Sequence, residues 1–295
     1  MKIAVILSTY NSPDRLKPTL IGYVAQSYRD FEMIVADDGS TDATRQLIRG
    51  LVNQYGMPIK HVWQEDQGFR KCRILNQAIA STTADYLIFS DGDCIPRQDF
   101  VAVHAKLAKP GRFLSGGYIK LSAETSKRIA DEDVLAGRST DARWLIDNGM
   151  RHTSKVGRLA MSQWQAQVMN AITPTRPTWN GHNSSGWRQD ALKVNGFDER
   201  MAYWAQDREF GERLDNAGVR GIQIRYSALC VHLDHARPYK TQESRERNKQ
   251  IRRDTRRNKT TWTAYGLVHS PPPAEQSPLH AAPAQDVDVM HYRMA

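Results

Sequence analysis

The chain has 295 residues, 40% of them hydrophobic, with three cysteines and a net charge of +9. This length and apolar content suit one large α/β domain, or one domain with extensions. The odd cysteine count without a C-x-x-C pair excludes a disulfide framework and a zinc knuckle, and no run approaches 18 apolar residues or resembles a cleaved leader, so a cytoplasmic protein is expected.

In chain order, apolar runs rich in β-formers occur at 2–11 (KIAVILSTYN), 31–40 (FEMIVADDGS), 58–63 (PIKHVW) and 85–93 (DYLIFSDGD). Helical spacing lies between them, at Leu16, Leu20, Tyr23 and Val24, then Thr44, Leu47, Ile48 and Leu51, then Cys72, Leu75, Asn76 and Ile79. Strands alternating with helices predict a mainly parallel sheet with right-handed crossovers. The pattern weakens from 113 to 180, where RFLSGGYIKL reads as one strand and helices are expected near 125–136 and 155–170. Residues 179–218 then predict a loop, a short helix, a second loop and a helix from about Asp207 to Asn216. Strand-like RGIQIRYSALCVHLDH (220–235) follows. Residues 240–259 hold nine Lys/Arg against three acids, a local net charge of +6, and predict a basic helix over 242–258. A disordered tail is expected from 266 to 295, where Pro, Ala and Gln accumulate.

Parallel strands place their polar tips on one sheet edge, the edge at which open α/β sheets bind ligands. Asp37, Asp38, Asp91 and Asp93 are therefore expected to converge, with Asp38 preferred over Asp37 for contact with a ligand N–H. Two carboxylates one residue apart at the end of a buried strand need a cation, because an unpaired desolvated anion is costly. A D-x-D suits a hard divalent ion, Mn²⁺ or Mg²⁺, although alone it is more often a solvated turn. Ser40, Thr41 and Asp42 read as helix-capping residues. Neither G-x-G-x-x-G nor a P-loop is present, so a phosphorylated ligand would depend on a metal for charge.

The blocks STYN (8–11), DDGSTD (37–42), EDQGFRKCRILNQAI (65–79), DGD (91–93), NGFDE (195–199), AQDREFGERL (205–214) and HLDH (232–235) resemble family 2 glycosyltransferases of the GT-A fold, with a galactosyltransferase-like carboxyl-terminal segment. The resemblance spans roughly residues 1–240. It implies a Rossmann-like mixed, mainly parallel sheet flanked by helices, a C-terminal helical extension, and an inverting, metal-dependent transfer from a UDP-sugar to a glycan or lipid-linked saccharide. The implied division is a transferase domain over 1–239 (nucleotide-sugar half 1–120, acceptor half 121–239), then a basic helical extension over 240–265. Carried over by position, Thr9, Tyr10, Asp37, Asp38, Asp66, Arg70, Arg73, Asn76, Asp91 and Gly92 would serve the donor. Asp93 would ligate the metal, with Asp91 assisting and a further ligand from His232 or His235, between which the sequence does not select. Asp207 would be the general base. His182, Asn183, Trp187, Trp204, Gln206 and Glu209 would face the acceptor, Gln206 standing where the family pattern often has Glu.

Two other readings fit parts of the sequence. A sugar-nucleotide nucleotidyltransferase shares the α/β plan but calls for a glycine-rich loop after the first strand, which STYNSPDRL is not. A non-enzymatic anionic-polymer binder would use residues 240–259, yet that segment lacks interleaved aromatics to stack bases. No nucleic-acid partner is expected, and the basic helix suits peripheral contact with an anionic membrane or an acidic glycan.

Overall fold

The computed structural model describes residues 1–236, 241–269 and 288–292. The first half alternates β1 (Ile3–Thr9), α1 (Pro13–Val24), β2 (Phe31–Asp37), α2 (Asp42–Tyr55), β3 (Ile59–Trp63), α3 (Lys71–Ala80) and β4 (Tyr86–Asp91). Next come β5 (Cys94–Pro96), α4 (Phe100–Leu107), β6 (Arg112–Ser115) and β7 (Gly117–Lys120). Short helices follow: α5 (Ala123–Arg128), α6 (Asp131–Leu135), α7 (Ala142–Asp147), α8 (Ser154–Gly157) and α9 (Gln163–Ile172). The chain continues through β8 (Ser184–Trp187), α10 (Arg188–Lys193), α11 (Gln206–Asn216), β9 (Arg220–Gln223), β10 (Leu229–His232), α12 (Gln242–Arg257) and β11 (Asp288–Tyr292).

Eight strands form the main sheet in the order β11-β3-β2-β1-β4-β8-β6-β9. β1 to β4 pair in parallel, in a register that sets Thr9 opposite Asp37 and Ser8 opposite Asp91. The polar tips thus share one edge, as the sequence predicts. Both sheet faces are covered, which explains why these strands are continuous apolar runs without polar alternation. Ile3, Val5 and Leu7 pack against Leu16, Leu20 and Tyr23 of α1 and Ile48 of α2. Ala4 and Ile6 face the opposite side, against Leu75 and Ile79 of α3 and Phe210 of α11.

Two predicted single strands are each split between sheets. RFLSGGYIKL divides at Gly116 into β6, in the main sheet, and β7, in a three-stranded sheet ordered β5-β10-β7. The segment 220–235 likewise divides into β9 and β10 around a turn in which Ser227 and Ala228 N–H donate to the Ile224 carbonyl. The crossing is tight: a Cβ on Gly116 would lie 2.0 Å from Asn183 Oδ1, and one on Gly117 2.4 Å from the Arg225 carbonyl oxygen.

The carboxyl-terminal region departs from the predicted extension and tail. α12 is helical as expected, but it packs on α11 through polar groups: Arg252 pairs with Glu212 and Thr255 Oγ1 donates to Glu209 at 3.0 Å. Beyond it, Leu267 N–H and Val268 N–H donate to the backbone carbonyl and the side chain of Asn195. Residues 288–292, expected in the disordered tail, form β11 and pair antiparallel with β3. The remainder of that expected tail, 270–287 and 293–295, lies outside the described residues, as does Lys240 of the basic segment.

Candidate active site

A cleft of about 690 Å³ opens at the carboxyl edge of β1 and β4. Its walls come from the loop after β1, the turn after β4, the start of α3, the loop 179–182, the start of α11 and the end of β10.

The β4 turn explains how distant motifs meet. Gly92 N–H donates to the Ser8 carbonyl at 2.8 Å, and a Cβ on Gly92 would press within 3.0 Å of that oxygen. The chain then enters β5, whose Cys94 pairs with His232 of β10, and Leu233 N–H donates to the Asp93 carbonyl at 2.9 Å. This pairing carries HLDH to the D-x-D. His235 Nε2 lies 2.8 Å from Asp93 Oδ2, and His232 Nε2 lies 3.7 Å from Oδ1. The two imidazoles stack at 5.4 Å between centroids.

Burial by itself would raise the Asp93 carboxyl, but the hydrogen bond from His235 and the charge of His232 more than offset it and hold it well below the usual carboxylate range. The Asp93 hydrogen bond in turn raises His235. The residues fit a divalent cation: the Asp93 carboxylate stands beside the imidazole nitrogens of His232 and His235, an oxygen and nitrogen donor set of the kind divalent ions take. Cys94 Sγ lies within 4.8 Å of the Asp93 and His232 donor atoms. Burial pushes its thiol well above the usual range, so it stays protonated and donates to Asp93 instead of offering a thiolate.

Asp91 is held differently. Its Oδ1 accepts from Ser8 Oγ at 2.8 Å and from Lys71 Nζ at 2.5 Å. Burial pushes the Asp91 carboxyl up, but the Lys71 ammonium outweighs it and leaves it below its ordinary value. Lys71 is raised in return: desolvation opposes its charge, and Asp91 and Asp207 more than compensate.

Asp207 stands in the first turn of α11, with Gly181 so close that a Cβ there would lie 2.9 Å from both carboxylate oxygens. Its Oδ1 is buried and has no hydrogen-bond partner among the described residues. Burial pushes the carboxyl up to about 6, with the Lys71 charge opposing and Asp91 adding. Thr9 Oγ1 and Gln206 Oε1, also lining the cleft, are likewise buried and unpartnered among the described residues. Unsatisfied buried polar atoms are uncommon in folded proteins, and these three residues, with Trp179 and its Nε1, all line this one cleft.

Asp38 Oδ1 accepts from Gln64 at 2.5 Å and Oδ2 from the Arg70 backbone N–H at 2.9 Å. Burial nonetheless pushes its carboxyl up to about 6. Tyr10 is exposed at the rim, its hydroxyl donating to Asp66 at 2.8 Å. His182 packs edge-on against Tyr118, and burial lowers it to about 4. Trp204 lines the opposite lip with Tyr203.

The cleft therefore gathers Thr9, Tyr10, Asp38, Asp91, Gly92, Asp93, His182, Trp204, Gln206, Asp207, His232 and His235. Other expected site residues face elsewhere. Asp37, at the end of β2, is fully buried against His61 Nε2 (2.9 Å) and the Ser40 N–H (2.8 Å), because the pleat turns it to the side opposite Asp38. Arg70 precedes α3 and meets Asp38 through its backbone, while its guanidinium donates to the Glu65 carbonyl. Asn76 ties α3 to the 195–199 loop through Phe197 and Glu199, with Arg73 close enough to act on the Glu199 charge. Asn183 is buried at the junction of the sheets, donating to the Gly117 and Ala228 carbonyls and contacting His104. Trp187 packs edge-on against Tyr86 and donates to the Lys109 carbonyl. Glu209 forms a fully buried pair with Arg213. None of these seven side chains lines the cleft, nor does that of Asp66.

Sequence reasoning missed Lys71, Arg15, Tyr118 and Asn180 in the cleft wall. Lys71 had a signal: three residues before Ile74, it shares that residue's helix face, and both line the cleft.

The comparisons with known proteins agree with this architecture. An uncharacterised glycosyltransferase of Bacillus subtilis, YfnE, is 27% identical over 80% of this chain and 65% of its own length. A validoxylamine A glucosyltransferase of Streptomyces hygroscopicus subsp. jinggangensis is 28% identical over 74% of this chain and 52% of its own. The chain thus spans between half and two-thirds of these relatives. Among solved structures, the mannosyltransferase PcManGT of Pyrobaculum calidifontis in complex with GDP-Man and Mn²⁺ aligns with a TM-score of 0.53 at 20% identity, covering 88% of this chain and 62% of that one. TarS residues 1–349 of S. aureus in complex with UDP aligns at 0.54 and 16% identity, covering 85% and 64%. The model of glycosyl transferase family 2 matches residues 4–155, just over half of the 295-residue chain, and with the GT-A architecture described above the chain belongs to that family.

Proposed function

We propose that the protein is a metal-dependent, inverting glycosyltransferase that moves a hexose or N-acetylhexosamine from a UDP-sugar to a hydroxyl of a glycan or glycolipid. The observation that carries this reading is the shared cleft: the Asp93–histidine cluster and Asp207, whose Oδ1 has no hydrogen-bond partner among the described residues, open into the same space. Solved neighbours bound to UDP and to GDP-Man with Mn²⁺ support a nucleotide-sugar donor. The nucleotide half is assigned to 1–120 and the acceptor half to 121–239.

Thr9, Tyr10 and Asp38 form the base pocket. Asp38 retains lone pairs for a uracil N–H, and the Thr9 hydroxyl gains the partner it lacks. Asp93, His232 and His235 would hold a divalent cation, Mn²⁺ or Mg²⁺, which would supply Lewis-acid charge for the diphosphate leaving group. Lys71, fixed by Asp91, adds a permanent positive charge beside the same groups. Asp207 removes the proton of the attacking acceptor hydroxyl. A carboxyl with a pKa of about 6 is still mostly ionised at neutral pH yet more basic than an ordinary aspartate, which suits a general base. Trp204 and His182 form the acceptor walls, and an aromatic face at the lip suits the C–H surface of a sugar ring.

The test is UDP release from a panel of UDP-sugars with saccharide acceptors, with and without Mn²⁺. Metal-stimulated release that Asp207→Asn abolishes supports the reading. Release independent of both metal and Asp207, or none with any donor, refutes it.

A further inference from the structure

The loop that delivers Trp204, Gln206 and Asp207 to the cleft is strained. Trp204 and Ala205 are consecutive non-glycine residues with φ of 90° and 63°, a region in which a side chain crowds its own backbone and which persists only when surrounding contacts enforce it. The enforcing contact comes from the carboxyl-terminal helix. Asn248 of α12, fully buried, places its carboxamide nitrogen 3.0 Å from the Ala202 carbonyl oxygen, 3.3 Å from that of Tyr203 and 2.7 Å from that of Trp204. Three acceptors converging on one atom require a donor there, so the NH₂ faces the loop. One turn earlier, the guanidinium of Arg245 lies 5.7 Å from the centroid of the Trp204 ring. One and two turns later, Arg252 and Thr255 bind Glu212 and Glu209 of α11, which fixes the clamp relative to the helix carrying Asp207.

From this geometry we infer that Asn248 is a positioning residue for acceptor attack. Its carboxamide holds 202–205 in the strained conformation that aims Trp204 and Asp207 at the cleft, and Arg245 steadies the Trp204 ring. The inference rests on the roles proposed above for Trp204 and Asp207. It gives the basic helix a task inside the transferase, and it locates the control of acceptor geometry in a helix that does not itself line the cleft. Asn248 meets the loop only through backbone carbonyls, so it acts whatever side chains the acceptor contacts.

The test compares the full-length wild type, Asn248→Ala and the double variant Asn248→Ala/Ala205→Gly. Amide exchange of a peptide covering 201–207, UDP binding in the presence of Mn²⁺, and steady-state transfer from a UDP-sugar are each measured. Asn248→Ala is expected to speed exchange in 201–207 by tenfold or more and to lower kcat by tenfold or more, with UDP affinity kept within twofold. Adding Ala205→Gly, which removes the steric cost of the left-handed conformation, is expected to restore at least threefold of the lost kcat. A general packing role would not produce that rescue. Unchanged exchange at 201–207, UDP affinity falling in step with kcat, or no recovery in the double variant overturns the inference. Should Asn248→Ala not fold, Asn248→Ser is judged by the same readouts. The exchange measurement needs no substrate, so a wild type without transfer activity would refute the proposed function while the clamp is still judged by its own data.

Discussion

Replacing Asp207 by Asn should make the protein more stable while abolishing transfer. Asp207 is half-buried in the cleft wall, its Oδ1 has no hydrogen-bond partner among the described residues, and burial raises its pKa from 3.8 to about 6. A folded-state pKa above the unfolded value means that the stability associated with the neutral carboxyl is fully present below pH 3.8 and is lost as pH rises through about 6. At pH 8 the ionised group then costs the fold up to about 3 kcal/mol, since each pH unit of displacement corresponds to about 1.36 kcal/mol. At pH 5, where most of the folded carboxyl is neutral, the cost falls to about half that. Asn has the same shape without the charge, and Lys71 keeps Asp91 as its partner. Urea unfolding should therefore show Asp207→Asn more stable than wild type at pH 8 by up to about 3 kcal/mol, with a smaller gain at pH 5. Transfer should drop by roughly 10²–10⁴-fold, the usual loss when a general base is removed. The wild-type rate should rise with pH along a limb centred near 6. A variant no more stable than wild type at either pH, or one that transfers at near wild-type rate, would refute the reasoning.

Glu209→Gln should behave oppositely: it strands the fully buried Arg213 guanidinium, and breaking a buried pair costs roughly 3–5 kcal/mol, read as a lower urea midpoint. Asp93→Asn removes the anionic donor from the histidine cluster without changing volume, so calorimetry should find Mn²⁺ affinity reduced by at least tenfold with an unchanged circular dichroism spectrum. His235→Ala and His232→Ala should each weaken Mn²⁺ binding as well, and indifference of both to substitution would remove the histidines from the site. Deleting residues 240–295 should lower thermal stability and speed amide exchange across α11, because α12 is packed on that helix; an unchanged melting temperature would restore the view of an independent extension.

The fold of the first half was legible because β1, β2 and β4 are buried on both faces and end in small or acidic residues, a pattern that sequence periodicity reports directly. The split of 113–120 and 220–235 between two sheets was not, since the crossing depends on Gly116 and Gly117 meeting Asn183 and Arg225, contacts remote in sequence. On α3, the helical phase decided the outcome: Lys71 and Ile74 face the cleft, whereas Asn76, on another face, ties down the 195–199 loop. Asn183, Trp187 and Glu209 belong to blocks near the cleft, yet burial directs each toward packing or internal hydrogen bonds. The helix at 242–257 was recognised, but its docking was hidden because it binds through Asn248, Arg252 and Thr255, with no continuous apolar stripe to announce a buried face.

The most direct test of the account is a calorimetric titration of UDP into wild type, Asp93→Asn and Asp207→Asn, with and without Mn²⁺. The account predicts metal-dependent UDP binding in wild type, its loss in Asp93→Asn and its retention in Asp207→Asn. Equal UDP affinity with and without metal in all three proteins would contradict it.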